Sequence, residues 1–356
     1  MKYIWNKTKL LDFINEWVKL TWLKSWIFFD AFSWTSSVAK FFKEKWFNII
    51  SNDLMFYSYV EQKAYIKNNT IPKFNNLLTF LDIKSNNKKE NIDIIIDYLN
   101  NINWVEWFIY KNYCPTGSEK YSNNKRQYFT DYNWKKIDAI RVEINFWKEK
   151  NIINENEYYI LLSFLINEAD YLANISWTYW AYLKIWRWVA TKQFNLRKKE
   201  LILSNKNHKV YNKNTNELIK EIKNIDIAYI DIPYNQRQYS SNFHILETIA
   251  KYDNPIIKWI TWQREDSLEK SSNYCKKRYV INETENLIKN LDSKYILFSY
   301  SSDWLMKYDD IKTILDKYWK EIKILKKIYR RFKTDSSRKY KNEWKELIEY
   351  LFVYKK

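Results

Sequence analysis

The sequence predicts a doubly wound, mostly parallel α/β sheet with an antiparallel last strand, interrupted by an inserted, mainly helical subdomain. Three observations predict it. A strand, loop, helix and strand follow one another over residues 27–54, the opening unit of such a sheet. A lone apolar strand at 225–230 runs into Asp231-Ile232-Pro233-Tyr234, and another apolar run at 295–299 is followed by two segments, 322–328 and 348–354, that read as a closing antiparallel pair.

Taken in order, residues 10–20 form an amphipathic helix, with Leu10, Leu11, Ile14 and Val18 on one stripe. Residues 27–29 are a short buried strand, 38–45 a helix, 48–51 a second strand and Asn52-Asp53-Leu54 its exit loop. From about 68 to 149 the chain turns polar, with Asn/Lys tracts at 86–90 and 122–126, helices, and a hairpin closed at Tyr132-Asn133-Trp134-Lys135 between strands at 126–130 and 137–144. This gives a core domain of 1–67 and 150–356 and an inserted subdomain of 68–149. Residues 154–173 are a strong helix, 176–191 a basic loop if its four tryptophans are glycines, and 200–210 and 216–223 lead to the strand at 225–230.

Composition narrows the partners. With 60 Lys and Arg against 42 Asp and Glu, the net charge of +18 implies a polyanion, most commonly nucleic acid for a chain of this size. The 30 tyrosines and 19 phenylalanines belong to a folded protein. Two cysteines, Cys114 and Cys275, are too few for a disulfide framework and point to a reducing compartment. His208 and His244 are the only histidines, so a histidine-ligated zinc site or a Ser/His triad has little to work with. No apolar run approaches the ~20 residues of a membrane span. Met1-Lys2-Tyr3-Ile4 leads straight into charged residues, so no signal peptide is expected.

Nineteen tryptophans accompany a single glycine, where an average chain of this length carries roughly 25 glycines. Several tryptophans stand where glycines belong: Trp134 in the expected hairpin turn, Trp46 and Trp319 at helix ends, and Trp34 in the loop after the first strand. The simplest account is a UGA codon read as glycine in the source but rendered as tryptophan here. UGG codons at positions 5, 34, 134 and 180 would sink it. Trp147, on an amphipathic helical stretch, fits as a genuine tryptophan.

Asp231-Ile232-Pro233-Tyr234 is the sharpest chemical signal. An exocyclic amine of a base is a poor nucleophile because its lone pair is delocalised into the ring. The Asp231 carboxylate and the Ile232 carbonyl can each accept one of its N–H groups and let the nitrogen pyramidalise toward a methyl donor. Pro233 would stiffen the turn and Tyr234 would stack on a base withdrawn from its duplex. A plain loop, with Asp capping the next helix and Tyr packing on the core, explains the tetrapeptide about as well taken alone. Asp30-Ala31-Phe32-Ser33-Trp34-Thr35-Ser36-Ser37 is a strand-to-helix loop that becomes a nucleoside loop with glycine at 34. Asp53, 19 positions after Trp34, stands where an acid commonly binds ribose hydroxyls, although a helix N-cap is also open to it.

Together these stretches resemble the Dam-like class of DNA adenine-N6 methyltransferases. Tyr3-Ile4-Trp5-Asn6-Lys7 with Leu10-Leu11 looks like the family's N-terminal cofactor motif, residues 29–38 like its methyl-donor loop, Asn52-Asp53-Leu54 like its ribose motif, and Asp231–Tyr234 like its catalytic Asp-Pro-Pro-Tyr. Similarity of pattern extends through 176–184, 235–239, 299–306 and 329–332. The resemblance implies a Rossmann-like methyltransferase sheet with a target-recognition insertion, and S-adenosylmethionine as cofactor, with Tyr3, Trp5, Lys7, Asp30, Phe32, Ser33, Trp34, Asp53 and Asp231 at its site. Catalysis falls to Asp231, Ile232, Pro233 and Tyr234. Three departures stand out. Ile232 replaces the first proline, Ser36 replaces a second glycine and is tolerable with negative φ, and tryptophan occupies 5, 34, 177 and 180.

The implied partner is double-stranded DNA, read through Lys125, Arg126, Gln127 and Arg141 in the insertion, with Arg237 and Gln238 holding the distorted backbone. A cognate restriction endonuclease is a further expected partner if the enzyme serves a restriction-modification system. No metal and no membrane are implied, and a cytoplasmic, nucleoid-associated monomer is expected. Competing readings are an RNA adenine-N6 or DNA cytosine-N4 methyltransferase, and a non-catalytic DNA-binding relic if the tryptophans at glycine-like positions are real. A cytosine-C5 enzyme would need a Pro-Cys nucleophile, which neither Cys114 nor Cys275 supplies.

Overall fold

The computed structural model describes residues 7–20, 26–84, 89–233, 236–258, 263–267, 271–302, 305–330 and 346–356. Among them the strands run, in chain order, β1 (Ile27–Asp30), β2 (Asn48–Asn52), β3 (Lys209–Tyr211), β4 (Ile225–Ile230), β5 (Ile257–Lys258), β6 (Gln263–Arg264), β7 (Ser293–Ser301), β8 (Lys320–Arg330) and β9 (Glu346–Lys355). All but the short β5–β6 pair belong to one sheet of order β3-β2-β1-β4-β7-β9-β8. The pairings from β3 to β7 are parallel, whereas β9 runs antiparallel to both β7 and β8. The mostly parallel sheet with an antiparallel closing strand is therefore present as expected.

Packing divides the chain into two compact units. One comprises 4–54, 206–238 and 271–356 and holds the large sheet; the other comprises 1–3, 55–205 and 239–270. These limits differ from the sequence-based 1–67, 68–149 and 150–356, because residues 55–67, 150–205 and 239–270 group with the helices of the second unit.

In the sheet unit β4 is buried along its whole length. Parallel strands covered on both faces read as continuous apolar runs, and Ile225-Asp226-Ile227-Ala228-Tyr229-Ile230 departs from that rule only at Asp226. Its carboxylate accepts the Ile27 N–H at 2.8 Å and pairs with Lys294 at 2.7 Å. Helix Ser37–Glu44 crosses from β1 to its parallel neighbour β2, and helix Thr215–Glu221 carries the chain from β3 to β4 on the opposite side of β1. The strand order thus reverses between β1 and β4. In open α/β sheets that reversal leaves a crevice at the carboxyl ends of the strands, where ligands bind.

The second unit is built on helices, among them Phe56–Gln62, Asn91–Asn101, Asp131–Glu149, Glu155–Leu172 and His244–Lys251. The expected hairpin around Trp134 is not formed. Residues 131–149 are one helix, capped by the Thr130 side chain accepting the Asn133 N–H, with Trp134, Ile137, Ile140, Ile144 and Trp147 buried at helical spacing. Glu155–Leu172 starts with a full capping box in which Asn154 and Glu157 bond each other's backbone N–H groups. The single glycine is obligatory: a Cβ on Gly117 would lie 2.1 Å from the Tyr110 carbonyl oxygen.

The backbone sorts the tryptophans. Trp34 has φ 39° and Trp46 φ 67°, the left-handed region in which glycine carries no penalty. Trp319 ends its helix in extended conformation and donates its indole N–H to the Ile288 carbonyl, so it is no left-handed cap. Trp134 lies inside a helix and its ring is 4.0 Å from Phe129. The glycine reading is favoured by the backbone at 34 and 46 and not at 134 or 319. Ser36 also corrects an expectation: its φ is +56°, not negative.

Candidate active site

The loop after β1 is shaped by two acids. Asp30 is 1% exposed, and its Oδ2 accepts the Ser33 hydroxyl at 3.1 Å and the Ala39 N–H at 3.2 Å. Burial pushes its pKa up to about 7, against the hydroxyl bond from Ser33, and the nearby charge of Asp231 adds to the rise. Asp53, just past β2, accepts the Trp34 N–H at 2.8 Å, which pins the loop at its left-handed residue. The helix starting at Phe56 is capped at Met55, so Asp53 is not its N-cap. Phe32 is half-buried and meets Tyr274 edge-on at 5.2 Å.

The loop after β4 is shaped by charge. Asp30 lies opposite Tyr229 in the parallel register, and Ala31 donates to the Tyr229 carbonyl at 3.1 Å, so the ends of β1 and β4 stand side by side. Two residues beyond Tyr229, Asp231 pairs with Lys7 at 3.3 Å and its side chain is 14% exposed. Burial pushes the Asp231 carboxyl up to about 7; Lys7 opposes the rise and Glu349 adds to it. Ile232, replacing the expected proline, buries its side chain completely in the core with Phe29, Ala228 and Phe298. That apolar anchor fixes the turn by packing where proline would fix it by covalent geometry. Pro233 is half-buried, while Tyr3, Trp5 and Tyr234 lie outside the described residues.

The structure therefore brings together Lys7, Asp30, Phe32, Ser33, Trp34, Asp53 and Asp231 in the sheet unit. Three residues there receive no role from the sequence, although Asn52 and Ser299 lie within matched motifs. Glu349 and Ser299 share Lys7, and Asn52 ties loops together by donating to the Lys213 carbonyl and the Thr215 hydroxyl while accepting the Lys213 N–H. A lone acid inside the apolar run 347–353 was the available signal for Glu349.

Two of the expected DNA contacts are corrected. Arg126 and Arg141 are each 1% exposed. Arg141 donates to the carbonyls of Ile249 and Ala250 and to the Tyr158 hydroxyl; Arg126 donates to the Ser122 hydroxyl and the Asn124 carbonyl. Both guanidiniums are bound to the interior and out of reach of phosphates. Gln127 donates to the Leu183 carbonyl, and the Gln238 amide is held at both ends by the Ser272 backbone. Lys125 and Arg237 are exposed.

Comparison with known proteins decides the family. Residues 3–314 match the family model for D12 class N6 adenine-specific DNA methyltransferase. The chain belongs to this family. Over its whole length this D12-class chain is 39% identical to Type II methyltransferase M.FokI of Planomicrobium okeanokoites, covering 53% of that protein. It is 35% identical to Modification methylase StsI of Streptococcus sanguinis, covering 51% of it, and 35% identical to Type II methyltransferase M.NlaIII of Neisseria lactamica, covering 99%. The chain thus spans about half the length of the first two relatives and nearly all of the third. Among the described residues of this D12-class chain, no helix is long and apolar enough to cross a membrane and no group of three or more His, Cys, Asp or Glu could hold a metal ion.

Proposed function

We propose that the chain transfers a methyl group to the N6 amine of adenine in double-stranded DNA, with the target base turned out of the helix. The observation that carries this reading is the placement of Asp231 at the carboxyl end of β4, beside the end of β1 at the reversal of strand order. There its carboxylate can accept one N–H of the amine while the Ile232 carbonyl accepts the other, which frees the nitrogen lone pair for attack. Pro233 and the buried Ile232 side chain keep the two acceptors from parting, and Tyr234 supplies a stacking face for the extruded base.

S-adenosylmethionine fits the crevice as methyl donor, which is the chemistry it supplies when bound. Asp231 lies close enough to the buried Asp30 to raise its pKa, and two carboxyls so placed favour a cationic ligand such as a sulfonium. Lys7, Phe32, Ser33 and Asp53 complete the set of residues around it, and Asp53 is suited to ribose hydroxyls. The left-handed backbone at Trp34 suits glycine, whose lack of a side chain would let the donor approach the loop.

The helical unit is the proposed target reader, with Lys125 as an exposed cation there. Arg237, exposed in the sheet unit just after the Asp231–Tyr234 tetrapeptide, is the proposed holder of the phosphates flanking the extruded base. A cognate endonuclease partner is proposed on the likeness to proteins named as a modification methylase and as Type II methyltransferases.

The test is transfer of labelled methyl to DNA by the chain with and without Trp34→Gly. Loss of transfer with retained DNA binding in Asp231→Ala is expected. Transfer that survives that substitution would sink the assignment.

A further inference from the structure

We propose that Glu349, on the closing strand β9, is a positioning residue for catalysis: it holds the Lys7 ammonium off Asp231 so that the catalytic carboxylate keeps an acceptor for the target amine. The inference rests on the methyl-transfer reading above. Lys7 Nζ lies 2.5 Å from Glu349 Oε1, 3.1 Å from Ser299 Oγ and 3.3 Å from Asp231 Oδ1. An ammonium has three protons in a tetrahedral spread, and these acceptors lie on three different elements of the sheet unit. Ser299, on β7, in turn donates its hydroxyl to Glu349 Oε1 at 2.6 Å. Lys7 is therefore drawn toward β7 and β9, its tightest contact being with Glu349 and its loosest with Asp231.

The arrangement is buried, with the side chains of Lys7 and Glu349 at 8% and 3% exposure. Water therefore screens these charges poorly, and a lysine between two carboxylates divides its attraction between them. Without the Glu349 charge, Lys7 would settle on Asp231 and compete with the incoming N–H for the same oxygen. The closing strand is held to this task by its register, which sets Glu349 opposite Ser301 of β7 and Leu351 opposite Ser299.

Glu349→Gln removes the charge and keeps the shape. The groups that face Asp231 are Lys7, Glu349, Asp30 and the Tyr229 phenol. Of these, Lys7 lowers the Asp231 pKa and Glu349 raises it. Loss of the Glu349 charge should then move the acid limb of the pH profile for methyl transfer down by about one pH unit. A fall in kcat of about ten-fold with an unchanged donor KM should accompany it. A folded variant with an unmoved acid limb overturns the proposal, whatever happens to kcat.

If Glu349→Gln does not fold, Glu349→Asp is read instead. Its carboxylate, one methylene short, should relax its hold on Lys7 and lower kcat about five-fold at constant donor KM; an unchanged kcat overturns the proposal. The more active of the chains with and without Trp34→Gly serves as parent. A parent inactive in both forms brings down the methyl-transfer reading and this inference with it. An active parent with an unmoved limb in Glu349→Gln brings down this inference alone.

Discussion

Strands β1 and β4 end alike in sequence and differently in chemistry. Each runs into a buried aspartate whose carboxyl is pushed up to about 7 by burial. Asp30 spends its carboxylate on its own loop, through the Ser33 hydroxyl and the Ala39 N–H, whereas Asp231 faces the ammonium of Lys7 across 3.3 Å. The difference separates an acid tied up by its own loop from the acid proposed to act in the site. A carboxylate filled by local donors fixes backbone. One held by a shared cation keeps capacity for a ligand.

The largest expected effect separates the two directly. Asp231→Asn should lower methyl transfer by about 10³-fold, the usual scale for removing one electrostatic contact from a preorganised site, with little change in melting temperature. Equal losses from Asp30→Asn and Asp231→Asn in single-turnover assays would erase the distinction.

Asp30→Asn should act on stability and pH. Because the folded-state pKa of Asp30 lies above its ordinary value of 3.8, its contribution is full below about pH 4 and is lost as pH rises through about 7. Relative to the parent, the asparagine variant should therefore gain on the order of 2–4 kcal/mol between pH 4 and pH 8. Denaturant titrations at the two pH values measure this, and a pH-independent difference would contradict it.

Smaller effects come from the β1 loop, where backbone strain does the shaping. Trp34→Gly should raise stability by about 1–2 kcal/mol through relief of the left-handed conformation. It should also tighten donor binding, read by calorimetry with S-adenosylmethionine; unchanged affinity would show that the indole leaves the crevice open. Ser36→Gly should add about 1 kcal/mol or less. Ser36 caps its helix without a side-chain hydrogen bond, and its Oγ is buried without a partner among the described residues. A lower melting temperature would mean that the hydroxyl contributes after all.

Which side chains were legible in the sequence followed from how local their causes are. The order of strand, loop and helix around β1 and β2, and the apolar run of β4 ending in Asp231, are written in short-range pattern. The hairpin expected at 126–144 failed for the same kind of reason. Tyr-Asn-Trp-Lys looked like a turn once tryptophan was read as glycine, and the stripe of Trp134, Ile137, Ile140, Ile144 and Trp147 at helical spacing carried more weight in the fold. Arg126 and Arg141 read as DNA contacts because the expected hairpin would carry them on its strands, where basic side chains hold phosphates. Arg126 is bound by the neighbouring Ser122 and Asn124, whereas Arg141 is bound by carbonyls brought in from elsewhere, those of Ile249 and Ala250.

By itself, then, the sequence determined the alternation of strands and helices, the acidic ends of β1 and β4, and the family pattern that spans 3–314, because these depend on neighbours within a few residues or on motifs. Tertiary structure alone decided that an acid at 349 shares a lysine at 7, that Asn52 binds the turn at 213–215, and that two arginines lie inside. Partners as far apart in the chain as Lys7 and Glu349, or Asn52 and Lys213, meet only when strand order and register are set, and no local periodicity records that meeting.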